Sequence, residues 1–374
     1  MGATEVIAFF RKQFGFKPTH VVQAPGRLEL LGNHTDYNEG VVLGAAIDRG
    51  LTVRGRKRDD GMISIESSTM GHVEIARSAL RPLEENRWAN YALGVANELI
   101  ALSIPVEGFS AEVSGDLAAG CGLSSSAAFE LATALFLLKL YGRNIGSLEI
   151  AKACQRAEHR YAGVRSGLLD QVTSLFGRAD HTVFFDCRSE EVRTIPFPQG
   201  LALIIAESGK KRELTKGKYN ARRRETRAAA AALQVSALRD VTPDALTNRR
   251  GLPDLLRRRA AHVVEENERV LRALELLTVG DGPGFGALMN ASHESSRRNF
   301  ENSTPELDLL VSIAQQLPGV LGARLTGGGF GGATITLCQR SAAVNIAAEL
   351  SERYTHESGI IPRVVISRIA NGAH

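Results

Sequence analysis

Cysteine is scarce in this chain. Its 374 residues hold only four, Cys121, Cys154, Cys187 and Cys338, with no C-x-x-C pair among them. That spacing excludes a zinc knuckle and a disulfide framework. An excess of either charge is also missing: 45 Lys and Arg stand against 41 Asp and Glu, a formal net charge of +4. So balanced a chain is not built as a nucleic-acid binder, and the short run Arg222-Arg223-Arg224 does not change that. A pI near 8.9 suits an enzyme that handles anions. Long apolar runs are absent: none approaches the ~18 residues of a membrane span. No apolar stretch follows a basic start at the N-terminus, so no leader peptide is expected. Repeats and low-complexity tracts are absent too. The expectation is a soluble, cytoplasmic protein with neither membrane nor nucleic acid as partner.

What is present is ordinary in bulk: 44% hydrophobic and 23% charged residues, as in soluble globular proteins. The length suits two domains at roughly 150 residues each. Helical patterning marks 4–14, 91–102, 127–140, 147–159, 220–235, 256–277, 308–317 and 341–353. Alternating or short apolar runs mark strands at 51–56, 62–66, 109–113, 182–186, 201–207 and 361–366. Strands and helices interleave, so the fold class is α/β (α+β), with mixed sheets and helices. The polar stretch 188–200 is placed as the boundary between an N-terminal domain, 1–190, and a C-terminal domain, 191–374. Segment 220–235, basic and alanine-rich, reads as a solvated helix; 256–277 reads as a helix with its charges on one face.

Three small-residue polar stretches stand out. The first joins the strand at 109–113 to the helix at 127–140 through Gly120-Cys121-Gly122-Leu123-Ser124-Ser125-Ser126. Glycines allow a ligand close to the backbone, and the free N–H groups and positive dipole end of the helix attract an anion. The serines suit either a plain helix cap or a phosphate-bound metal. This loop is neither a G-x-x-x-x-G-K-[S/T] P-loop nor a G-x-G-x-x-G turn. The second stretch, Asn33-His34-Thr35-Asp36-Tyr37-Asn38, sits between Gly32 and Gly40. It is either a polar turn or a grip for a polyhydroxyl ligand. The third is the glycine run Gly327, Gly328, Gly329, Gly331 and Gly332. Among isolated charges, Asp170 lies between apolar neighbours and suits a helix cap or a base for a hydroxyl proton. Arg27 suits a surface charge or the fixed cation of a phosphoryl-transfer site. Glu158 suits a solvated position or a carboxylate for Mg²⁺.

Taken together these stretches resemble the galactokinases of the GHMP small-molecule kinase superfamily. The signatures are Gly-Arg-Leu-Glu-Leu-Leu-Gly-Asn-His-Thr-Asp-Tyr-Asn at 26–38, Gly-Cys-Gly-Leu-Ser-Ser-Ser-Ala at 120–127 and Leu-Thr-Gly-Gly-Gly-Phe-Gly-Gly at 325–332. Supporting matches in the same order include Trp88-Ala-Asn-Tyr91, 157–171, Tyr219-Asn-Ala-Arg-Arg and 262–270, so the resemblance covers about residues 20–340. It implies the two-domain GHMP kinase fold with the active site in the interdomain cleft, ATP as co-substrate and Mg²⁺. It implies that 120–126 wraps the ATP phosphates, with Ser126 and Glu158 on the metal. Asp170 would act on the anomeric hydroxyl and Arg27 would stabilise the transferring phosphoryl. Asn33, His34, Thr35, Asp36 and Tyr219 would hold the sugar, and Gly327, Gly328, Gly329 and Gly331 would shape the floor beside the phosphates. The expected state is a monomer whose partners are small molecules.

The chain departs from the family pattern at a few positions. Galactokinases usually carry glutamate, in contact with the sugar, where Asn33 stands. An amide both donates and accepts, whereas a carboxylate only accepts. Altered selectivity is therefore expected, with Asn33→Glu improving the use of galactose. Gly44 and Ala118 replace usual prolines, and Ser166 a common cysteine. Two alternatives stay open: a kinase acting at C1 of another sugar, such as N-acetylgalactosamine or a uronic acid, and a non-catalytic galactose and ATP sensor. The intact Ser124-Ser125-Ser126 loop with Arg27 and Asp170 speaks for catalysis.

Overall fold

The computed structural model describes residues 17–117, 120–210 and 216–374. The helix expected at 4–14 and the substituted Ala118 lie outside the described residues. The described chain runs β1 (His20–Leu31), β2 (Val41–Lys57), β3 (Met62–Ser67), β4 (Gly71–Ala76), α1 (Asn90–Ala101), β5 (Phe109–Gly115), α2 (Ser125–Leu140), α3 (Ser147–Ala157), α4 (Leu169–Phe176), β6 (His181–Asp186), β7 (Val192–Pro196) and β8 (Leu201–Glu207). It continues through α5 (Lys216–Leu233), α6 (Pro243–Asn248), α7 (Asp254–Thr278), α8 (Gly282–Ser295), α9 (Pro305–Gln316), β9 (Val320–Thr326), β10 (Ala333–Gln339), α10 (Ala343–Ser358) and β11 (Arg363–Ser367).

Two mixed layers follow. The larger sheet has seven strands in the order β4-β3-β5-β2-β6-β7, with β1 also paired to β2; the smaller has four, β11-β8-β10-β9. All pairings given are antiparallel except β3 with β5. β2 is long enough to pair with β1, β5 and β6 at once, which makes it the spine of the larger sheet. The continuous apolar run of β8 has a simple cause. Side chains alternate between faces along a strand, and both faces of β8 are covered. Leu201, Leu203 and Ile205 join the large core shared with the first sheet. Ala202, Ile204 and Ala206 pack against α9 and α10 through Leu310, Ile346 and Tyr354.

Some segments differ from their sequence reading. The polar stretch 188–200 contains β7, which pairs with β6. It is an edge strand, half exposed, and so lacks a full apolar face. Helix α7 carries charges on its buried face as well as its exposed one: Arg259, His262 and Glu266 are each 1% exposed or less. These lie at helical spacing on one side and meet polar partners there. Helix α5 is also only partly solvated, with Thr226 and Ala229 fully buried. After β11 the chain returns to the first sheet, where the Ala370 N–H donates to Ala46 O at 2.9 Å and Gly372 to Gly177 O at 2.7 Å.

Candidate active site

The site is built where β1 meets the glycine-serine loop. A register shift in β1 between Pro25 and Arg27 turns Gly26 toward the loop; a Cβ there would lie 2.6 Å from Leu123 O. The absence of that atom lets the Arg27 N–H donate to Leu123 O at 3.1 Å. Strand and loop are thus fixed to each other, and Arg27 with them. Its guanidinium is buried, 3% exposed. Nη1 donates to Gly122 O at 2.7 Å. Nε and Nη2 both donate to Asp170 Oδ1, at 2.8 and 2.6 Å.

Asp170 stands in the first turn of α4, and its other oxygen, Oδ2, accepts from Ser124 Oγ at 2.5 Å. Ser124 is the N-cap residue of α2, in the left-handed region with φ 56°, and makes no side-chain cap bond. The serines are therefore not plain caps. Ser124 spends its hydroxyl on Asp170, Ser126 Oγ faces Glu158 Oε1 at 3.5 Å, and the N-terminus of α2 stays open to the cleft. Glu158 opens a π-helical turn after α3, Glu158–Ala162, an irregularity frequent at functional sites. It also accepts from Ser166 Oγ. Burial, reinforced by the nearby Asp170 charge, pushes the Glu158 carboxyl up to about 7.

All of these groups line one cleft of about 800 Å³, together with Glu29, Asn33, His34, Asp36, Tyr219 and Gly328. The His34 ring lies between Tyr219 and Phe300, with centroids 4.9 and 4.6 Å away. Its Nδ1 meets Tyr37 Oη at 2.8 Å and its Nε2 meets Gly328 O at 3.1 Å. Asp36 abuts Gly167, where a Cβ would lie 2.0 Å from its Oδ2. Burial first, then the charges of Asp170 and Glu29, raise the Asp36 carboxyl to about 7. Further along, the cleft turns apolar: Trp88, Tyr91, Phe129 and Leu117 line it beside the turn 67–70.

Not every expected site residue faces this space. Thr35 is fully buried, does not line the cleft, and holds its hydroxyl 2.8 and 2.7 Å from the carbonyls of Gly32 and Val41. It closes the polar turn instead of gripping a ligand. Asn33 lines the cleft but spends its amide on the protein. Nδ2 donates to Glu29 Oε1 at 2.6 Å and to Gly327 O at 2.9 Å, while Oδ1 accepts from Asn302 at 2.8 Å. That bonding reverses the expectation for Asn33→Glu, since a carboxylate has nothing to donate to either acceptor. Leu123 and Cys121 act through the loop: Leu123 by its carbonyl, Cys121 by a thiol donated to Glu207 Oε2 at 3.1 Å. Of the glycine run, Gly328 lines the cleft, while Gly327 and Gly329 sit against Asn33 and Asn302. Gly331 is not among the lining residues.

Three residues went unread in the sequence. Arg324, fully buried, crosses from β9 and donates to Leu30 O at 2.8 Å and Glu29 Oε1 at 3.1 Å. Glu29 is 5% exposed. Both are lone charges inside apolar strands, Leu-Glu-Leu and Ala-Arg-Leu, and such a charge is rarely buried unpaired. Asn302 left no such signal. A buried seam continues beyond them. Glu266 Oε1 accepts from the N–H groups of Gly32 and Asn33 at 3.0 and 3.3 Å and from Ser292 at 2.7 Å, and His262 Nε2 meets Asn33 O at 3.0 Å.

For a metal, no group of three or more His, Cys, Asp or Glu is gathered among the described residues. Mg²⁺ needs no such cage, since it binds through one or two carboxylates, water and substrate phosphates. Ser126 and Glu158 are hard oxygen donors on the cleft wall, and a cation there would relieve the buried Glu158 carboxylate.

Three family models match the chain: the galactokinase galactose-binding signature at 8–57, the GHMP kinases N terminal domain at 90–178 and the GHMP kinases C terminal domain at 271–356. Galactokinase from Roseiflexus sp. (strain RS-1) is 40% identical over 370 residues, covering 97% of this chain and 94% of that protein. Human galactokinase is 41% identical over 374 residues with the same coverage. The crystal structure of Lactococcus lactis galactokinase complexed with galactose superposes with a TM-score of 0.95 at 31% identity, over 99% of each chain. Methanococcus jannaschii mevalonate kinase shares the fold, with a TM-score of 0.69 at 21% identity over 94% of this chain and 98% of that one.

Proposed function

The chain belongs to the GHMP kinases, to the galactokinases among them, and from that premise we propose how its own residues transfer a phosphoryl group. The enzyme is a phosphotransferase with an alcohol acceptor. ATP is the co-substrate and galactose the acceptor, giving galactose 1-phosphate and ADP. The open N-terminus of α2 and the backbone of Gly120–Ser126 receive the phosphates. Asp170 takes the proton of the anomeric hydroxyl as O1 bonds to the γ-phosphorus and the bond to the bridging oxygen of ADP breaks. Arg27 lies against that charge and steadies the phosphoryl oxygens, since phosphoryl transfer is mostly positioning and charge stabilisation. Asp36 and Tyr219 hold the sugar, Asp36 as an acceptor that gains strength as it ionises, and His34, its two ring nitrogens engaged by Tyr37 and Gly328, shapes the wall beside them. Mg²⁺, when bound, would be held by Ser126 and Glu158 and would neutralise phosphate charge. Trp88, Tyr91 and Phe129 offer the apolar wall suited to a nucleotide base.

The single observation that carries this assignment of roles is the buried Arg27–Asp170–Ser124 cluster. It ties a fixed cation, a carboxylate and the phosphate loop together beside the polar turn. The division at 190/191, a monomeric state and a cytoplasmic location complete the proposal. A panel of free sugars with MgATP, scored for ADP and for the 1-phosphate product, tests the reading. No product from galactose would overturn it, and a faster N-acetylated or acidic sugar would reassign the acceptor.

A further inference from the structure

Sequence expectation put the reading of one sugar hydroxyl at Asn33, yet that amide has no capacity left. Its two N–H groups go to Glu29 and Gly327, and its carbonyl accepts from Asn302 and from the Ser296 hydroxyl. Glu29, one turn of chain earlier on β1, is the opposite case. Its Oε1 accepts from Asn33 Nδ2 at 2.6 Å and from Arg324 Nη2 at 3.1 Å. Its Oε2 makes no hydrogen bond to any described residue and is not sealed from the cleft, which Glu29 lines. Arg324 supplies the counter-charge, so the carboxylate stays buried and oriented at acceptable cost. A carboxylate oxygen accepts and cannot donate, and a sugar hydroxyl beside it must therefore donate.

We propose that Glu29 is the specificity-determining acceptor for one hydroxyl of the sugar, with Asn33 as the positioning residue that fixes its orientation. This rests on the galactose-kinase reading above. The carboxylate stands on β1, four residues before the position where the family usually carries its glutamate.

The test is Glu29→Gln assayed against galactose and its 2-, 3-, 4- and 6-deoxy analogues. In the variant, Asn33 Nδ2 and Arg324 both demand an acceptor, so the new amide must turn its oxygen to them and its N–H₂ toward the cleft. A donor then faces a donor. Loss of a hydrogen bond to a charged group lowers kcat/KM for galactose about 10- to 150-fold. For the one deoxy sugar that lacks the matching hydroxyl, the penalty should shrink to within about threefold. An equal penalty on all five sugars, or none on galactose, overturns the proposal and leaves Glu29 a structural residue. Absence of product from galactose with the wild-type enzyme overturns the kinase reading instead. If Glu29→Gln yields no folded protein, the exchange Glu29→Asn with Asn33→Glu is read on the same panel. Retention of galactose activity within tenfold, with one deoxy sugar falling behind the other three in wild type and exchange alike, supports the paired assignment. A folded but inactive exchange overturns it.

Discussion

Replacing Asp170 by Asn removes charge while keeping shape, and the geometry sets what that should cost. Asp170 Oδ1 receives two N–H groups of Arg27 and Oδ2 receives the Ser124 hydroxyl. In the variant the amide oxygen turns to Arg27, because guanidinium offers only donors. The amide N–H₂ then faces Ser124, whose hydroxyl is able to accept. The cluster therefore survives as a set of hydrogen bonds. Two things are lost. The anomeric hydroxyl has no base, a loss of about 10²- to 10⁴-fold in kcat, or roughly 2.7–5.5 kcal/mol of barrier at 1.36 kcal/mol per tenfold. The buried Arg27 also loses its counter-ion, so thermal stability should fall by several degrees. The KM for galactose should change by only a few-fold, because His34, Asp36 and Tyr219 are untouched. Coupled ADP release, calorimetric galactose binding and a melting curve measure the three effects. A kcat within tenfold of wild type would refute the role of Asp170 as base. A kcat loss matched by lost galactose binding would mean that the cluster shapes the sugar site and does no proton chemistry.

Asn33→Glu should lower both stability and galactose turnover. It sets a second carboxylate against Glu29 and leaves Gly327 O without its donor, a cost of about 1–3 kcal/mol, visible as a lower Tm. Thr35→Val should destabilise by a similar ~1–3 kcal/mol with the KM for galactose unchanged; a raised KM would return Thr35 to the sugar site. The pH dependence of the apo-enzyme follows from Glu158. Its carboxyl is raised by burial to about 7 from an ordinary 4.5, so between those values the folded state binds more protons and stability falls as pH rises. Asp36, raised to about 7, adds the same sign. Glu158→Gln should flatten the Tm decline between about pH 4.5 and 7 without abolishing it, and should weaken MgATP. Parallel wild-type and variant curves would contradict the assignment.

The site was more legible in the sequence than the contacts within it. The composition of 120–126 alone fits an ordinary capped loop as well as a phosphate loop. It is the resemblance at 26–38, 120–127 and 325–332 that implies a site with Arg27 and Asp170 beside that loop, where the structure brings Arg27, Asp170 and Ser124 together. The closest partners of these groups are distant in sequence, however. Asn302 reaches Asn33, and Arg324 reaches Glu29, across more than 260 residues of chain. Nothing in local periodicity reports a pairing of that kind. Thr35 was misread because a dense polar turn presents hydroxyls for its own closure as readily as for a ligand. β7 was missed because an edge strand with half-exposed residues lacks the alternation of a covered one, and the buried charges of α7 because helical spacing gives a face without saying what covers it.

The seam that holds β1 against α7 and β9 bears on how the molecule comes apart. Apolar faces slide past each other by fractions of an ångström at little cost. A carboxylate such as Glu266, accepting from two main-chain N–H groups and a serine, has no comparable intermediate position. Pulling the two sheets apart parts Glu29 on β1 from Arg324 on β9 and takes the Gly32 and Asn33 N–H groups away from Glu266, and a buried charge stripped of its partner costs several kcal/mol. Neither half is stabilised by remaining structured after the other has opened. Thermal melting should accordingly be a single cooperative event for both sheets, and the amide protons of Gly32 and Asn33 should exchange with solvent only through complete unfolding.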